Sequence, residues 1–180
     1  MDGLGDYEEM GGRPQVRFER LLRHPVEKVW SALTTPERLA DWMGQLDIEP
    51  RIGGRYVVTF GMGGSRMEGT ITEWDPPRRL KLIWREPWFE GDSCTLAYDI
   101  APADGGARLT LIHSYPPGYD GFEYLPGWHG FLEALGEVLD GGGPIDWTAK
   151  LASGDYQASL AAHQAKYPDR AAPPPAAPSA

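Results

Sequence analysis

Residues 127–142 read GWHGFLEALGEVLDGG, and this stretch decides the fold because it carries a long helical pattern. Apolar residues recur in it at spacings of three and four, which is the period of an amphipathic helix. The stripe consists of Trp128, Phe131, Leu132, Leu135, Val138 and Leu139. The glycines at 141–143 end the pattern, so the sequence predicts a helix over about 126–140.

The same stretch places His129 four residues before Glu133, a spacing at which two helical side chains meet. His129 is rotated by roughly 100° from Trp128 around the helix axis. We therefore expect His129 and Glu133 on the solvent face, and Trp128 on the face that packs against the rest of the domain.

Upstream of this helix the apolar period changes to two, as in strands. Val16–Arg23 predicts a first strand, and two short helices follow it before Gly44. Short strands separated by Gly, Asp and Pro turns then continue to Tyr115, as in an antiparallel meander. The sequence thus predicts an α+β helix-grip arrangement. In it, a curved antiparallel sheet of six to seven strands wraps around the long C-terminal helix.

The two ends of the chain differ in composition from its middle. Residues 1–14 are rich in Gly, Asp and Glu, and residues 168–180 consist almost entirely of Pro, Ala and Ser. Such segments bury little apolar surface, so both are predicted to be disordered tails. Residues 15–167 are predicted to form a single domain, in which 144–167 is an extra segment with another helix at about 155–166.

Charge and cysteine content exclude several classes of protein. The net charge is −9 without a basic patch, which argues against nucleic-acid and anionic-membrane partners. The single cysteine, Cys94, allows no internal disulfide and suits the cytoplasm. No apolar stretch is long enough to span a membrane. No His/Cys spacing typical of a metal site is present, and no cofactor is expected.

The chain resembles a known superfamily in several stretches that together cover about residues 16–141. They are HPVEKVWSALTTPERLADWM, RIGGRYVVTF, MEGTITEWDPPRRLKLIWRE, ARLTLIHSY and GWHGFLEALGEVLDGG. They resemble the SRPBCC or START-like (Bet v 1-like) superfamily, and within it the AHSA1-like branch, named for the activator of the Hsp90 ATPase. The resemblance implies an apolar cavity between sheet and helix, with a lipid, polyketide or other hydrophobic ligand. It carries no catalytic motif with it.

Candidate site residues follow from residue type and position. Aromatic residues with a few polar groups are typical of ligand pockets, although buried tryptophan more often belongs to a core. The candidate ligand contacts are Trp42, Met43, Trp84, Phe89, His113, Tyr115, Trp128 and Leu132. His113 and Glu68 are the candidate acid–base residues, although a histidine without a placed carboxylate is more often structural.

Three functions remain open from the sequence. The first is the binding of a small hydrophobic ligand between sheet and helix, without catalysis. The second is a polyketide cyclase or hydrolase-like enzyme that uses the same cavity. The third is a chaperone-linked, Hsp90-type interaction module with a role in stress response. The aromatic loop from Tyr115 to Tyr124 fits either a cavity mouth or a homodimer interface.

Overall fold

A computed structural model describes residues 3–85 and 93–170. Its strands are β1 (Asp6–Met10), β2 (Arg13–Leu22), β3 (Gly44–Ile48), β4 (Arg55–Phe60), β5 (Arg66–Asp75), β6 (Arg79–Arg85), β7 (Cys94–Ala103) and β8 (Gly106–Ser114). Its helices are α1 (Val26–Thr34), α2 (Pro36–Ala40), α3 (Tyr124–Leu139), α4 (Trp147–Ala152) and α5 (Asp155–Lys166). No helix within the described residues is both long and apolar enough to cross a membrane.

The strands form one curved antiparallel sheet in the order β1-β2-β8-β7-β6-β5-β4-β3. Each of β3 to β8 pairs with its neighbour in sequence, while β2 crosses to β8 and joins the start of the chain to the end of the meander. The helix α3 packs on the buried face of this sheet, whose residues alternate with exposed ones along each strand. The predicted helix-grip fold is confirmed, with eight strands instead of six to seven.

The additional strand lies in the segment predicted to be an N-terminal tail. Residues 6–10 form β1, which pairs with β2 across a turn where Gly11 and Gly12 have φ angles of 59° and 75°. Only glycine adopts such angles at little cost, and they suit a tight hairpin. The prediction of a disordered tail is therefore wrong for these residues, because pairing with a neighbouring strand orders a segment of tail-like composition. The second predicted tail lies outside the described residues from 171 onward.

Helix α5 and the residues that follow it hold the N-terminal segment in place. The Gly5 N–H donates to His163 Nε2 at 3.2 Å, and the Tyr7 N–H donates to the Tyr167 hydroxyl at 2.8 Å. The Arg170 guanidinium lies 3.7 Å from the centre of the Tyr7 ring. These contacts explain how the segment after α3 docks, and the helix predicted at about 155–166 is confirmed as α5.

Substituting Gly5 tests how closely the N-terminal segment packs against β2 and α3. A Cβ at Gly5 would overlap the Phe18 ring and lie 2.7 Å from Leu125 Cδ2, and both neighbours are buried. We expect Gly5→Ala to lower the free energy of unfolding by about 1–3 kcal/mol, since overpacked sites cost that much. The matched substitution Gly136→Ala meets nothing within 4 Å and should raise it by about 0.4–1 kcal/mol. Urea unfolding of both variants measures these changes in the free energy of unfolding. Equal effects would contradict the close packing of Gly5 against Phe18 and Leu125.

Candidate functional site

A cavity of about 230 Å³ lies between the sheet and the first half of α3. We call it the inner cavity. It is lined by Phe60, Met62, Ser65, Met67, Trp84, His113, Glu123, Tyr124, Gly127, Trp128, Phe131 and Tyr156. Its walls are mainly aromatic and methionine side chains from β4, β5, β6, β8 and α3, which is the composition typical of a small-molecule site.

His113 is the polar centre of the inner cavity. It stands on β8 with the parity of Leu109 and Leu111, so it faces α3, and only 1% of its surface is exposed. The indole N–H of Trp128 donates to His113 Nδ1 at 3.0 Å, and the Tyr115 hydroxyl lies 2.9 Å from the same nitrogen. Because an indole nitrogen only donates, Nδ1 is the acceptor and the ring proton resides on Nε2.

Burial lowers the pKa of His113 from 6.5 to about 3. The apolar surroundings disfavour the charged ring, so the imidazole is neutral at physiological pH. The aromatic rings of Tyr115, Tyr124 and Trp128 pack around it with centroid distances of 4.3, 5.6 and 5.8 Å. The deep end of the inner cavity is therefore uncharged.

A comparison of this sequence with models of protein families identifies the family of the chain. A family model for "Activator of Hsp90 ATPase homolog 1-like protein" matches residues 23–140, which is more than half of the chain. The chain belongs to the AHSA1-like family. The resemblance inferred from the sequence is thereby confirmed, and the matched region ends before α4 and α5.

Solved structures show the same fold. CalU16 from Micromonospora echinospora is 22% identical, with a TM-score of 0.65, and the match covers 91% of this chain and 98% of CalU16. MLL2253 from Mesorhizobium loti is 25% identical, with a TM-score of 0.61 over 70% of this chain and 96% of that protein. DynU16, from the dynemicin biosynthetic locus, is 29% identical with a TM-score of 0.65. That match covers 72% of this chain and 48% of DynU16. Comparison with curated proteins gives no match.

In this AHSA1-like chain, three of the predicted ligand contacts line the inner cavity. They are Trp84, His113 and Trp128. Tyr115 does not line it but lies behind His113, where its hydroxyl contacts the ring nitrogen. Of the aromatic loop that begins at Tyr115, only its end at Glu123 and the first residue of α3, Tyr124, line the cavity.

Three other predicted contacts belong to the core. Trp42 is fully buried, and its indole N–H donates to the Ala32 carbonyl at 2.9 Å, which ties the end of α2 to α1. Met43 and Leu132 are also buried without lining the cavity. These three residues therefore do not line the inner cavity, and their role as ligand contacts stays a prediction, since core and pocket use the same apolar residue types. Phe89 lies outside the described residues.

Glu68 does not reach the inner cavity. On β5 the buried face carries Met67, Gly69 and Ile71, so Glu68 points to the other side of the sheet. Its side chain is 58% exposed and pairs with Arg66. The structure therefore does not bring the two candidate acid–base residues together.

Several lining residues were not predicted from the sequence. They are Phe60, Met62, Met67, Tyr124, Phe131 and Tyr156. Strand parity could have identified Met67, which shares a face with Gly69, and helical spacing could have identified Phe131, three residues after Trp128. Tyr156 comes from α5, whose docking no local pattern reveals.

The prediction that His129 lies on a solvent face is wrong. His129 is only 6% exposed, because α5 packs against that side of α3. Its ring lies 5.7 Å from that of His163, and Arg20 Nη2 is 3.4 Å from its Nδ1. Burial and the positive charge of Arg20 lower the pKa of His129. Glu133 contacts Arg20 instead, at 3.7 Å.

Proposed function

We propose that the protein binds one small, largely apolar molecule in the inner cavity. The observation that carries this proposal is the cavity of about 230 Å³, walled by aromatic and methionine side chains. A buried apolar cavity of about 150 Å³ already accepts benzene. The inner cavity is larger, so a bicyclic aromatic molecule or one of similar volume is the appropriate size class.

The state of His113 supports an uncharged ligand moiety. A neutral imidazole adds a polar group to a mainly apolar wall without introducing a charge. A charged ligand group placed at this depth would lose its hydration without an ion-pair partner, which is costly. The cavity therefore suits an aromatic or alicyclic body whose charged groups, if it has any, stay near the mouth.

The same histidine argues for binding over acid–base catalysis. A general acid or base works best with a pKa near the operating pH, whereas burial holds the pKa of His113 at about 3. Glu68 is directed away from the cavity, and the lining carboxylate Glu123 is exposed and accepts a hydrogen bond from Tyr119. The family fold and the origin of DynU16 in a biosynthetic locus support a small organic molecule as the ligand.

Calorimetric titration with indole tests the proposal. Indole is bicyclic and uncharged, so it matches both the volume and the polarity of the inner cavity. We expect saturable binding at one site per chain with a negative heat-capacity change, the mark of apolar burial. Heats that never saturate up to the solubility limit of indole would overturn the proposal.

A further inference from the structure

A second cavity, of about 270 Å³, lies on the opposite side of α3 from the sheet. We call it the outer cavity. Its floor is α3 at Gly127 and Gly130, where an added Cβ would meet nothing within 4 Å. Its walls come largely from α4 and α5, beyond the region that the family model matches. The remaining lining residues are Met62, Pro126, His129, Glu133, Glu137, Trp147, Lys150, Leu151, Asp155, Tyr156 and Ser159.

The outer cavity adjoins the inner one. Met62, Gly127 and Tyr156 line both, so these three residues form the boundary between the two spaces. Gly127 lacks a side chain that would separate them. A molecule whose ring occupies the inner cavity would reach the outer cavity by a short chain that passes Gly127, between Met62 and Tyr156.

More charged side chains line the outer cavity than the inner one, whose charged lining residue is Glu123. Glu133, Glu137 and Asp155 line it together with a single lysine, Lys150. Lys150 contacts Glu137, and Glu133 lies 3.7 Å from Arg20. Among the described residues, the Asp155 carboxylate has no ion-pair partner, and burial lowers the pKa of His129, which favours its neutral form. The outer cavity therefore carries an excess of negative charge.

We propose that the outer cavity receives a positively charged group, an ammonium, attached by a short linker to the apolar body in the inner cavity. This proposal rests on the proposed function, because the ring must first occupy the inner cavity. The ligand class is then an aromatic or alicyclic amine. The segment with α4 and α5 adds selectivity for the amine to an apolar cavity that the sheet and α3 form together.

A ring-matched series tests the charge preference. Tryptamine, tryptophol and indole-3-propionate carry an ammonium, a hydroxyl and a carboxylate on the same indole. We expect tryptamine to bind roughly threefold or more tightly than tryptophol at low salt, since partly exposed charge interactions contribute modestly. Indole-3-propionate should bind most weakly. Equal affinities for the three compounds would overturn the proposal.

Two variants locate the effect in the outer cavity. Gly130 lines the outer cavity and not the inner one, so Gly130→Leu should remove the preference for tryptamine while indole binds as before. Asp155→Asn removes one negative charge with little change of shape, and should reduce the preference for tryptamine without altering tryptophol binding. An unchanged preference in Gly130→Leu would show that the ammonium is not in the outer cavity.

Indole itself separates the two proposals. If indole binds and the ammonium brings no gain, the inner-cavity function stands and the outer-cavity proposal is wrong. If neither indole nor its derivatives bind, the proposed function is wrong and the outer-cavity proposal is wrong with it. Gly136→Leu, on the same helix but outside both cavities, is the matched control and should reproduce the affinities of the parent protein.

Discussion

Gly127→Leu is expected to weaken indole binding by about tenfold or more while leaving the protein at least as stable. Gly127 lines the inner cavity, and a Cβ there meets nothing within 4 Å, so the leucine side chain has room in the space that the ligand would occupy. Gly127 lies within α3, where leucine is favoured over glycine by roughly 0.8 kcal/mol. Loss of binding together with a retained or higher melting temperature separates occlusion of the cavity from damage to the fold.

The control for this variant is Gly136→Leu. Gly136 also lies in α3 and also has open space at its Cβ position, but it lines neither cavity. It should gain similar helix stability and bind indole like the parent chain. If Gly127→Leu binds indole normally, the ligand does not occupy the inner cavity.

The second large effect is a loss of stability in acid that originates at His113. The unfolded chain binds a proton at this residue below pH 6.5, whereas the folded chain does not until about pH 3. The unfolded state therefore carries more protons within this window, and the free energy of unfolding falls as the pH falls. At pH 4 this difference in pKa lowers the free energy of unfolding by roughly 3 kcal/mol, a large fraction of the stability of an ordinary domain.

His113→Gln isolates this contribution. The glutamine carbonyl can still accept a hydrogen bond from the Trp128 indole, but it does not titrate. In urea unfolding between pH 7 and pH 4, the free energy of unfolding should fall less steeply with pH in the variant. The difference in slope should correspond to about one proton. His129 and His163, whose pKa values burial also lowers, will still titrate beside Arg20 and Lys166 in both proteins. Identical pH dependence of the two proteins would contradict the neutral, buried state of His113.

The sequence predicted the helix-grip core because its signals are local. The stripe that begins at Trp128 has a helical period, and the alternation along β8 correctly placed His113 toward α3. Both patterns concern residues a few positions apart, and the packing of sheet on helix follows from them. The tight turns between short strands were likewise enough to predict that neighbouring strands pair.

The errors of prediction have a common cause in contacts between distant parts of the chain. The order of β1 depends on Gly5 and Tyr7 bonding to His163 and Tyr167, about 160 positions away in sequence. The burial of His129 depends on the same docking of α5. Neither the composition nor the periodicity of a sequence predicts which distant segment will pack against a helix face.

A different cause explains why some predicted ligand contacts do not line the inner cavity. The type of residue does not tell whether a buried aromatic side chain meets a cavity or another side chain. Trp42 looks like a pocket residue in sequence, yet its N–H is satisfied by the backbone at Ala32.

The cyclase or hydrolase and chaperone-linked functions remain predictions, which turnover assays and stimulation of an Hsp90 ATPase would test.

Nuclear magnetic resonance of the methionine methyl groups tests the central claim most directly. Met62 and Met67 line the inner cavity, whereas Met43 is buried elsewhere in the core and Met10 is exposed. With ¹³C-methyl methionine, indole should shift the signals of Met62 and Met67 and show nuclear Overhauser contacts to them, while Met43 and Met10 stay unchanged. Contacts to Met43 or Met10, or saturable binding without any change at Met67, would contradict a ligand site between the sheet and α3.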